Sequence, residues 1–280
     1  EVNNAIDRVK YAGRAQGLMR TLNDALVNGS TRARQNAAFA LQYLADADSA
    51  AALTMALSDE DVVVREYACQ AVGRLKAKSA VKKLRRLVRD PSPVVRREAV
   101  RALGAIGDRS AWAEISDALD DGSAEVRLAA ILASGQLNEP RARAKLQPLL
   151  KHPSETTRLA AMKSLAMLND ADARKALEAM LASGISQERR DGVRLLDEVK
   201  KDWAVKALVA RLEDPDLMVR IDAARSLTKQ GDGRGVQHLV LSSASSEVSA
   251  SDKLKIETAL EELALSDEDR KKILAASKKK

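Results

Sequence analysis

The sequence predicts an all-α fold, a right-handed α-solenoid of stacked antiparallel helix pairs. The first reason is an arginine that recurs every 31 residues, seven times in one phase, in a chain with 47 Lys and Arg among 280 residues. The second is that aromatic residues make up only 2% of the chain, so a core of Ala, Leu, Val, Ile and Met is expected, as in helix packing. Tandem repeats of this length bury their apolar faces by stacking on their neighbours. The seven arginines are Arg34, Arg65, Arg96, Arg127, Arg158, Arg189 and Arg220.

The phase of this period divides the chain into three parts, which together form one elongated domain over residues 1–280. Residues 1–29 fit the period weakly and are predicted to form an N-terminal capping unit. Residues 30–244 form seven repeats of 31 residues. The phase is lost in residues 245–280, where we expect two closing helices that cap the array.

Each repeat is predicted to begin with a first helix, helix A, whose N-terminus is marked by Ser or Asp in six of the seven repeats. Such side chains accept hydrogen bonds from the free N–H groups of the first turn, and Pro93 suits the first helical position. In the second repeat, apolar residues between Val64 and Leu75 recur at helical spacing and form one stripe. The repeats start at Ser30, Asp61, Ser92, Ser123, Ser154, Ile185 and Asp216.

A turn and a second helix, helix B, complete each repeat. Gly107, Asn169 and Gly231 mark the turn, because Gly and Asn readily adopt the left-handed conformation that ends a helix. Helix B then carries one apolar residue in fixed phase, from Leu53 in the first repeat to Leu239 in the seventh. Burial of each such side chain contributes about 1.5–3 kcal/mol.

The sixth repeat departs from this pattern. Ile185 stands where Ser or Asp begins the other repeats, Glu188 precedes the arginine, and Gly192 replaces a core alanine. We therefore expect a packing irregularity between the fifth and sixth repeats.

Aligned in this way, the repeats follow the pattern Asp-Pro-x-x-x-Val-Arg, then Ala and Leu, a Gly-Asp turn, and a final Leu-x-Asp. This pattern resembles the HEAT-like repeats of about 30 residues that occur in bacterial and archaeal scaffolds and in bilin lyase-like proteins. The resemblance covers residues 30–244. It implies a right-handed superhelix whose second helices line a concave surface that binds other macromolecules. It also implies a ladder of Asp–Arg contacts that ties each repeat to the next.

The recurring arginine is predicted to be structural, and a ligand-binding row of arginines is the alternative. It lies near the N-terminus of helix A, where a cation is unfavourable by some tenths of a kcal/mol, so it needs a compensating partner. Six residues before it, an aspartate often ends the preceding helix B, and we expect the arginine to pair with that carboxylate and with the free carbonyls there. His152 and Ser183 replace the aspartate before Arg158 and Arg189, where the carbonyls must suffice. The aspartates are Asp59, Asp90, Asp121 and Asp214.

Charge is concentrated in one segment. Between Arg74 and Arg101, eleven basic residues stand against Asp90 and Glu98, although the net charge of the whole chain is only +7. Five of them lie on helix B of the second repeat, and we call these five the basic patch. Three interpretations are open: a solvated face paired with the acidic helix B of the third repeat, a surface for an acidic protein partner, or a surface for nucleic acid or another polyphosphate. The basic patch is Lys82, Lys83, Arg85, Arg86 and Arg89.

Catalysis has little support in the sequence. His152 and His238 are far apart, so we expect no metal site, and nothing suggests a cofactor. Cys69 is the one cysteine and falls on a core position. The Gly-Asp-Gly-Arg-Gly segment over residues 231–235 lacks the preceding strand of a phosphate loop. An enzyme of the lyase-like branch is kept as a minor alternative.

The aromatic residues do not supply a base-stacking platform for nucleic acid. Phe39, Tyr43 and Tyr67 fall on helix A, and Trp112 falls on a core position of helix B. Trp203 opens helix B of the sixth repeat, where we expect an exposed interface anchor.

We therefore predict a non-enzymatic scaffold that binds a protein partner on the concave face, where the basic patch suits an acidic surface, with nucleic-acid backbone binding as the alternative. No apolar run approaches the roughly 18 residues of a membrane span. A cytoplasmic location is the default expectation, and export is the alternative because the sequence starts at Glu1 rather than Met.

Overall fold

The computed structural model describes residues 16–44, 47–246, 248–263, 269 and 273. Within these ranges the chain forms helices and turns and no strand, so the predicted all-α fold of repeated helix pairs is confirmed. The helices are α1 (16–28), α2 (Thr31–Leu44), α3 (Ala50–Ala56), α4 (Val62–Arg74), α5 (Val81–Leu87), α6 (Pro93–Ile106), α7 (Trp112–Ala118), α8 (Ala124–Gln136), α9 (Ala142–Leu146), α10 (Glu155–Met167), α11 (Ala171–Leu181), α12 (Ser186–Leu195), α13 (Asp202–Ala210), α14 (Leu217–Lys229), α15 (Arg234–Ala244) and α16 (Ala250–Glu262).

The even-numbered helices α2–α14 are the predicted helices A, and the odd-numbered helices α3–α15 are the predicted helices B. Pro93 is the first residue of α6, as expected. Of the predicted capping side chains, Ser30, Asp61, Ser154 and Asp216 accept hydrogen bonds from the first turn of their helices. Helix α16 agrees with the first closing helix, whereas most of the second closing helix and residues 1–15 lie outside the described residues.

The turn between helices A and B has the same backbone in most repeats. Gly107 and Gly231 have positive φ angles of 75° and 85°, and Asn169 has 60°. Asn138 at 49° and Lys76 at 50° occupy the same position of their repeats. Lysine pays a steric cost there that glycine does not, because its Cβ crowds the following carbonyl oxygen.

The chain divides into two compact units, an N-terminal unit of residues Glu1–Pro148 and a C-terminal unit of residues Leu149–Lys280. In the N-terminal unit, α2, α4, α6 and α8 pack on one another in order, and α3, α5 and α7 pack against the next helix A. The helices A approach closely: a Cβ added to Gly104 would lie 2.8 Å from the Ala133 Cα. This small-residue packing explains how the core forms with so few aromatic side chains.

In the C-terminal unit, α12 and α14 are packed together, and α11, α13, α15 and α16 cover the same core. Leu177, Leu208, Val219 and Leu239 are among its fully buried or nearly fully buried residues. The sixth repeat has a short helix A: α12 has 10 residues, and its N-cap Ile185 makes no side-chain hydrogen bond. The packing irregularity between the fifth and sixth repeats stays a prediction.

None of the helices in the described ranges is long and apolar enough to cross a membrane. The division into capping segments and a seven-repeat array over one domain stays a prediction.

Candidate functional site

The ladder arginine Arg65 binds the ends of two helices B. The Arg65 Nε and Nη2 donate to the two carboxylate oxygens of Asp90, at 2.9 and 3.1 Å, and its Nη1 donates to the carbonyl oxygens of Asp59 and Glu60, both at 2.9 Å. Asp90 follows α5 of the same repeat, and Asp59 follows α3 of the preceding one. The planar guanidinium suits this arrangement, because its parallel N–H groups grip a carboxylate while the remaining donors reach carbonyls.

The expected pairing with the carboxylate six residues earlier is wrong. That residue provides its backbone carbonyl, whereas the carboxylate comes from the aspartate 25 residues later: Arg96 binds the Asp90 carbonyl oxygen at 3.0 Å and the Asp121 carboxylate at 2.8 and 2.9 Å. The reason is that the aspartate side chain turns back to accept the backbone N–H two residues on, as Asp90 does from Ser92 at 2.9 Å. Its carboxylate is then held beside the arginine of its own repeat.

Among the described residues, four arginines have such a carboxylate in addition to carbonyl partners, and three have carbonyl partners alone. Arg158 donates to the carbonyl oxygens of His152 and Pro153, as expected. The same expectation fails for Arg189, which binds the Ser183 carbonyl and also both oxygens of Asp214. The carboxylate pairs are Arg34–Asp59, Arg65–Asp90, Arg96–Asp121 and Arg189–Asp214. Arg127 and Arg220 donate to the carbonyl oxygens of Asp121, Gly122, Asp214 and Pro215.

The Arg189–Asp214 pair is the most buried one. The side chains are 10% and 0% exposed. Burial alone would raise the pKa of Asp214, but hydrogen bonds from Arg189 and the Asp216 N–H, with the charges of Arg189 and Arg211, hold that pKa below its ordinary value. These contacts engage all three guanidinium nitrogens of Arg189, which favours the structural interpretation of the ladder.

The basic patch lies on α5 and its C-terminal end, and the structure divides it in two. Arg85 pairs with Glu114 at 2.8 Å, and Arg89 pairs with Asp117 at 3.0 Å. Both carboxylates lie on α7 of the next repeat, so part of the patch is neutralised by ion pairs between repeats.

The other three cations of the patch make no ion pair with any described residue. Lys82 and Arg86 are exposed, and Lys83 is half-buried. Lys83 and Arg86 line a cavity of about 360 Å³ that is also bordered by Arg65 and Asp90 of the ladder. These three side chains are therefore the part of the patch that is available to a ligand.

Trp203 is less exposed to solvent than the sequence predicted. It is half-buried, and the guanidinium carbon of Arg174 lies 5.3 Å from the centre of its ring. Such a cation over an indole is favourable by about 0.5–1 kcal/mol where solvent reaches it. Trp203 lines a cavity of about 810 Å³ together with Arg174 and three lysines, Lys200, Lys201 and Lys206.

Sequence reasoning missed this group of residues. The lysines belong to the turn and helix B of the irregular sixth repeat, and a comparison with the same positions of the other repeats would have singled them out. It also missed a cluster of aromatic rings on α2 and α4, where Phe39 lies 5.8 Å from Tyr43 and 5.4 Å from Tyr67, ring centre to ring centre.

The cysteine and the tryptophan that were expected at core positions are both buried. Cys69 is fully buried, and burial raises the pKa of its thiol. Trp112 is buried, with Arg141 over its ring at 5.9 Å. Among the described residues there is no group of three or more His, Cys, Asp or Glu side chains that could hold a metal ion.

A family model described as HEAT repeats matches residues 18–85, 50–122 and 112–196, which together are more than half of the chain. No curated protein sequence matches the chain. Among solved structures, the chain is similar to one chain of the complex of CpcE and CpcF of phycocyanin lyase from Nostoc sp. PCC7120, with 20% identity, 88% of this chain and 94% of that chain covered, and a TM-score of 0.60.

Two weaker similarities have TM-scores too low to support an argument. Human deoxyhypusine hydroxylase has 22% identity over 89% of this chain and 97% of that chain, with a TM-score of 0.40. A designed armadillo repeat protein in complex with the peptide (KR)4 has 21% identity over 75% of this chain and 98% of that chain, with a TM-score of 0.46. At these identities the structures agree in fold alone.

Proposed function

The chain belongs to the HEAT-repeat family, and we propose that it is a binding scaffold which presents the basic patch on α5 to an acidic segment of a protein partner. The patch lies on a helix B, and the resemblance to HEAT-like repeats implies that these helices line a concave side, which supports the proposal. The repeat fold is typical of non-enzymatic scaffolds, although similar structures include a lyase subunit and a hydroxylase.

The observation that carries the proposal is that three cations of the patch, Lys82, Lys83 and Arg86, make no ion pair with any described residue. The same position as Arg86 holds Met55 in the first repeat and Asp117 in the third, so the repeat does not require a cation there. The neighbouring Arg85 and Arg89 satisfy carboxylates of α7. A cation that the fold does not use and that faces solvent is available to an external anion.

A protein segment suits this surface better than nucleic acid. Binding of single strands generally combines a basic groove with aromatic rings that stack on the bases. The described aromatic cluster is on the helices A α2 and α4 instead. The Nostoc neighbour is described as one of two proteins in a complex, which accords with protein binding by this fold and identifies no partner here.

A titration of the full chain with a fluorescently labelled peptide of ten Asp and Glu residues tests the proposal. In the double variant Lys82→Glu and Arg86→Glu, we expect the affinity to fall at least about tenfold, which is 1.4 kcal/mol. The matched control is Arg20→Glu with Arg32→Glu, which changes the net charge by the same amount with two exposed cations of α1 and α2. This control should keep nearly full affinity.

Equal losses in the two double variants would reduce the effect to net charge and contradict the proposal. A parallel titration with duplex and single-stranded DNA at about 50 mM and 200 mM salt addresses the nucleic-acid alternative. DNA binding that exceeds peptide binding, falls steeply with salt and is lost in the α5 variant would replace the proposed partner with a nucleic acid.

A further inference from the structure

The cavity beside Trp203 lies between two successive helices B of the C-terminal unit. Arg174 and Glu178 of α11 form one wall, and the segment from Lys200 to Ala207, with α13, forms most of the other. Its volume of about 810 Å³ is in the range of small-ligand sites, which is about 300–1,000 Å³.

The charges around this cavity are unbalanced. Arg174 pairs with Glu178 at 2.8 Å, while Lys200, Lys201 and Lys206 make no ion pair with any described residue. Four cations against two carboxylates, Glu178 and Asp202, leave an excess of two positive charges. A phosphate monoester carries about −1.5 to −2 charges near neutral pH, so it would neutralise this excess.

The sequence of the cavity wall departs from that of the two neighbouring repeats. Residues 200–203 read Lys-Lys-Asp-Trp, whereas the same positions read Asn-Asp-Ala-Asp over 169–172 and Gly-Asp-Gly-Arg over 231–234. Lys201 thus reverses the charge of a carboxylate, and Trp203 replaces a polar or charged residue. Repetition preserves what stacking requires, so coordinated departures in one cavity wall point to a ligand.

The reversed charge also removes a hydrogen-bond acceptor. Asp170 accepts the N–H of Asp172 at 3.1 Å, and Asp232 accepts the N–H of Arg234 at 3.0 Å. Lys201 is the N-cap of α13 and cannot do this, and no described side chain caps that helix. Backbone N–H groups at the start of a helix favour an oxyanion, which would lie where the carboxylate lies in the other repeats.

We propose that the Trp203 cavity binds a phosphate monoester. The phosphate oxygens take the position of the missing N-cap carboxylate and meet Lys200, Lys201 and Lys206. The organic part of the ester packs against Trp203 and Ala207. The same chemistry is offered by a small phosphorylated molecule and by a phosphorylated side chain of a protein. This site is independent of the basic patch on α5.

Trp203 itself provides the readout. The chain has two tryptophans, so in a Trp112→Phe background all tryptophan fluorescence comes from the cavity. We expect phenyl phosphate to change this fluorescence saturably at about pH 7.5, where it is a dianion. Phenyl sulfate, which has nearly the same shape and one negative charge, is the matched ligand and should bind at least about tenfold more weakly, because it neutralises less of the excess charge.

Lys201→Asp restores the aspartate of the third, fifth and seventh repeats, and it should abolish phenyl phosphate binding while the thermal unfolding midpoint stays the same or rises. The matched protein control is Arg32→Asp, which makes the same change of charge at an exposed residue of α2 and should leave binding intact. Loss of binding in Arg32→Asp, or equal affinity for phenyl sulfate, would overturn the proposal, as would a lack of saturable binding.

Two further ligands distinguish the sources of the phosphate. If a phosphoserine peptide binds at least tenfold more tightly than phenyl phosphate, the natural ligand is a phosphorylated protein segment. If phenyl phosphate binds at least as well as the peptide, a small phosphorylated molecule is favoured. A peptide with glutamate in place of phosphoserine must bind more weakly, because equal binding would show a general acidic site and reject the phosphate assignment. None of these results depends on the α5 titration, so the two proposals fail separately.

Discussion

Asp214 and Ser183 hold the same position in successive repeats of the C-terminal unit, but the side chain of Asp214 makes more hydrogen bonds than that of Ser183. The Asp214 carboxylate accepts the Asp216 N–H at 3.0 Å and binds Arg189 through both oxygens at 2.9 and 2.8 Å. The Ser183 hydroxyl accepts the Ile185 N–H at 3.1 Å. Serine therefore keeps the local turn contact and offers no charge to the arginine 25 residues before it.

The difference separates two roles that the aspartate combines. His152 supports the same separation, because its Nδ1 accepts the Ser154 N–H at 3.1 Å. The turn at the end of helix B thus needs an acceptor, which Asp, Ser or His can supply. The arginine pair needs a carboxylate, and it is present in some repeats only. The carbonyl contacts of the arginine are common to both kinds of repeat.

The largest effect is expected from Asp214→Ser. This change removes the carboxylate partner of Arg189 and leaves it the arrangement that Ser183 gives to Arg158. Arg189 would keep its carbonyl partner but lose the carboxylate in a buried place, and removal of one partner of a buried ion pair costs about 3–5 kcal/mol. Urea unfolding of the C-terminal unit should show a free energy of unfolding lower by about 3 kcal/mol.

Asp216→Ser is the control for this variant. Asp216 is the N-cap of α14, and serine is a comparable N-cap residue, so the loss should stay below about 1 kcal/mol. Similar losses in both variants would mean that the arginine pair contributes nothing beyond local capping.

The second effect is a pH dependence that comes from the Arg96–Asp121 pair. Hydrogen bonds from Arg96 hold the pKa of Asp121 below its ordinary value, against the opposing effect of burial, and the Ser123 N–H and nearby arginine charges lower it further. A lowered pKa in the folded state means that the unfolded state binds more protons in acid. Its stabilising contribution is therefore present above about pH 4, near the unfolded value, and is lost as the pH falls through the folded pKa.

Asp121→Ser should flatten this acid dependence of the unfolding free energy, measured by urea unfolding from about pH 7 to about pH 2.5. Asp120→Ser, at the exposed neighbouring carboxylate, should change it less. If the unfolding free energy of Asp121→Ser fell in acid as much as that of the unchanged protein, the role of the Arg96–Asp121 pair would be contradicted.

A smaller effect, a gain in the free energy of unfolding, is expected when Arg158 is given a carboxylate partner. Ser183→Asp gives half-buried Arg158 a carboxylate while the acceptor for the Ile185 N–H is retained. The free energy of unfolding should rise by about 1 kcal/mol, since partly exposed pairs contribute little more than this. Ser183→Asn offers a neutral acceptor of the same shape and should give no comparable gain. Equal stability of the two variants would show that charge at this position is not limiting.

The smallest effect concerns the other repeated turn, between helices A and B. Lys76 has a φ of 50° where Gly107 and Gly231 stand in other repeats. Lys76→Gly should stabilise the N-terminal unit by about 0.5–1 kcal/mol in thermal or urea unfolding, because glycine adopts this conformation without a Cβ clash. Lys78→Gly, outside the left-handed position, should give no gain, and a gain there would contradict the explanation.

Most of the fold could be predicted from the sequence, because helix periodicity, N-caps and left-handed turns are local properties. The same holds for the participants of the ladder, since Arg189 and Asp214 recur in phase with their repeats. The register of their contact could not be predicted. Helix A and helix B run in opposite directions, so a residue 25 positions later returns to the arginine, and only the packed pair shows which oxygen it meets.

The candidate sites were predicted less completely. The sequence identified the five cations of the basic patch, but the pairing of Arg85 and Arg89 with α7, and the freedom of Lys82 and Arg86, depend on how α5 stacks on its neighbour. Trp203 was identified as an interface anchor. The contact of Arg174 with its ring and its place in a basic cavity are products of packing between α11 and α13.

By itself, therefore, the sequence determined the repeat, its length, its helices and the residues with which each repeat stacks on its neighbours, because these follow from short-range periodicity. Tertiary structure alone decided which carboxylate each arginine binds and which cations stay free. These outcomes depend on side chains that are distant in the chain and become neighbours only when the helices stack.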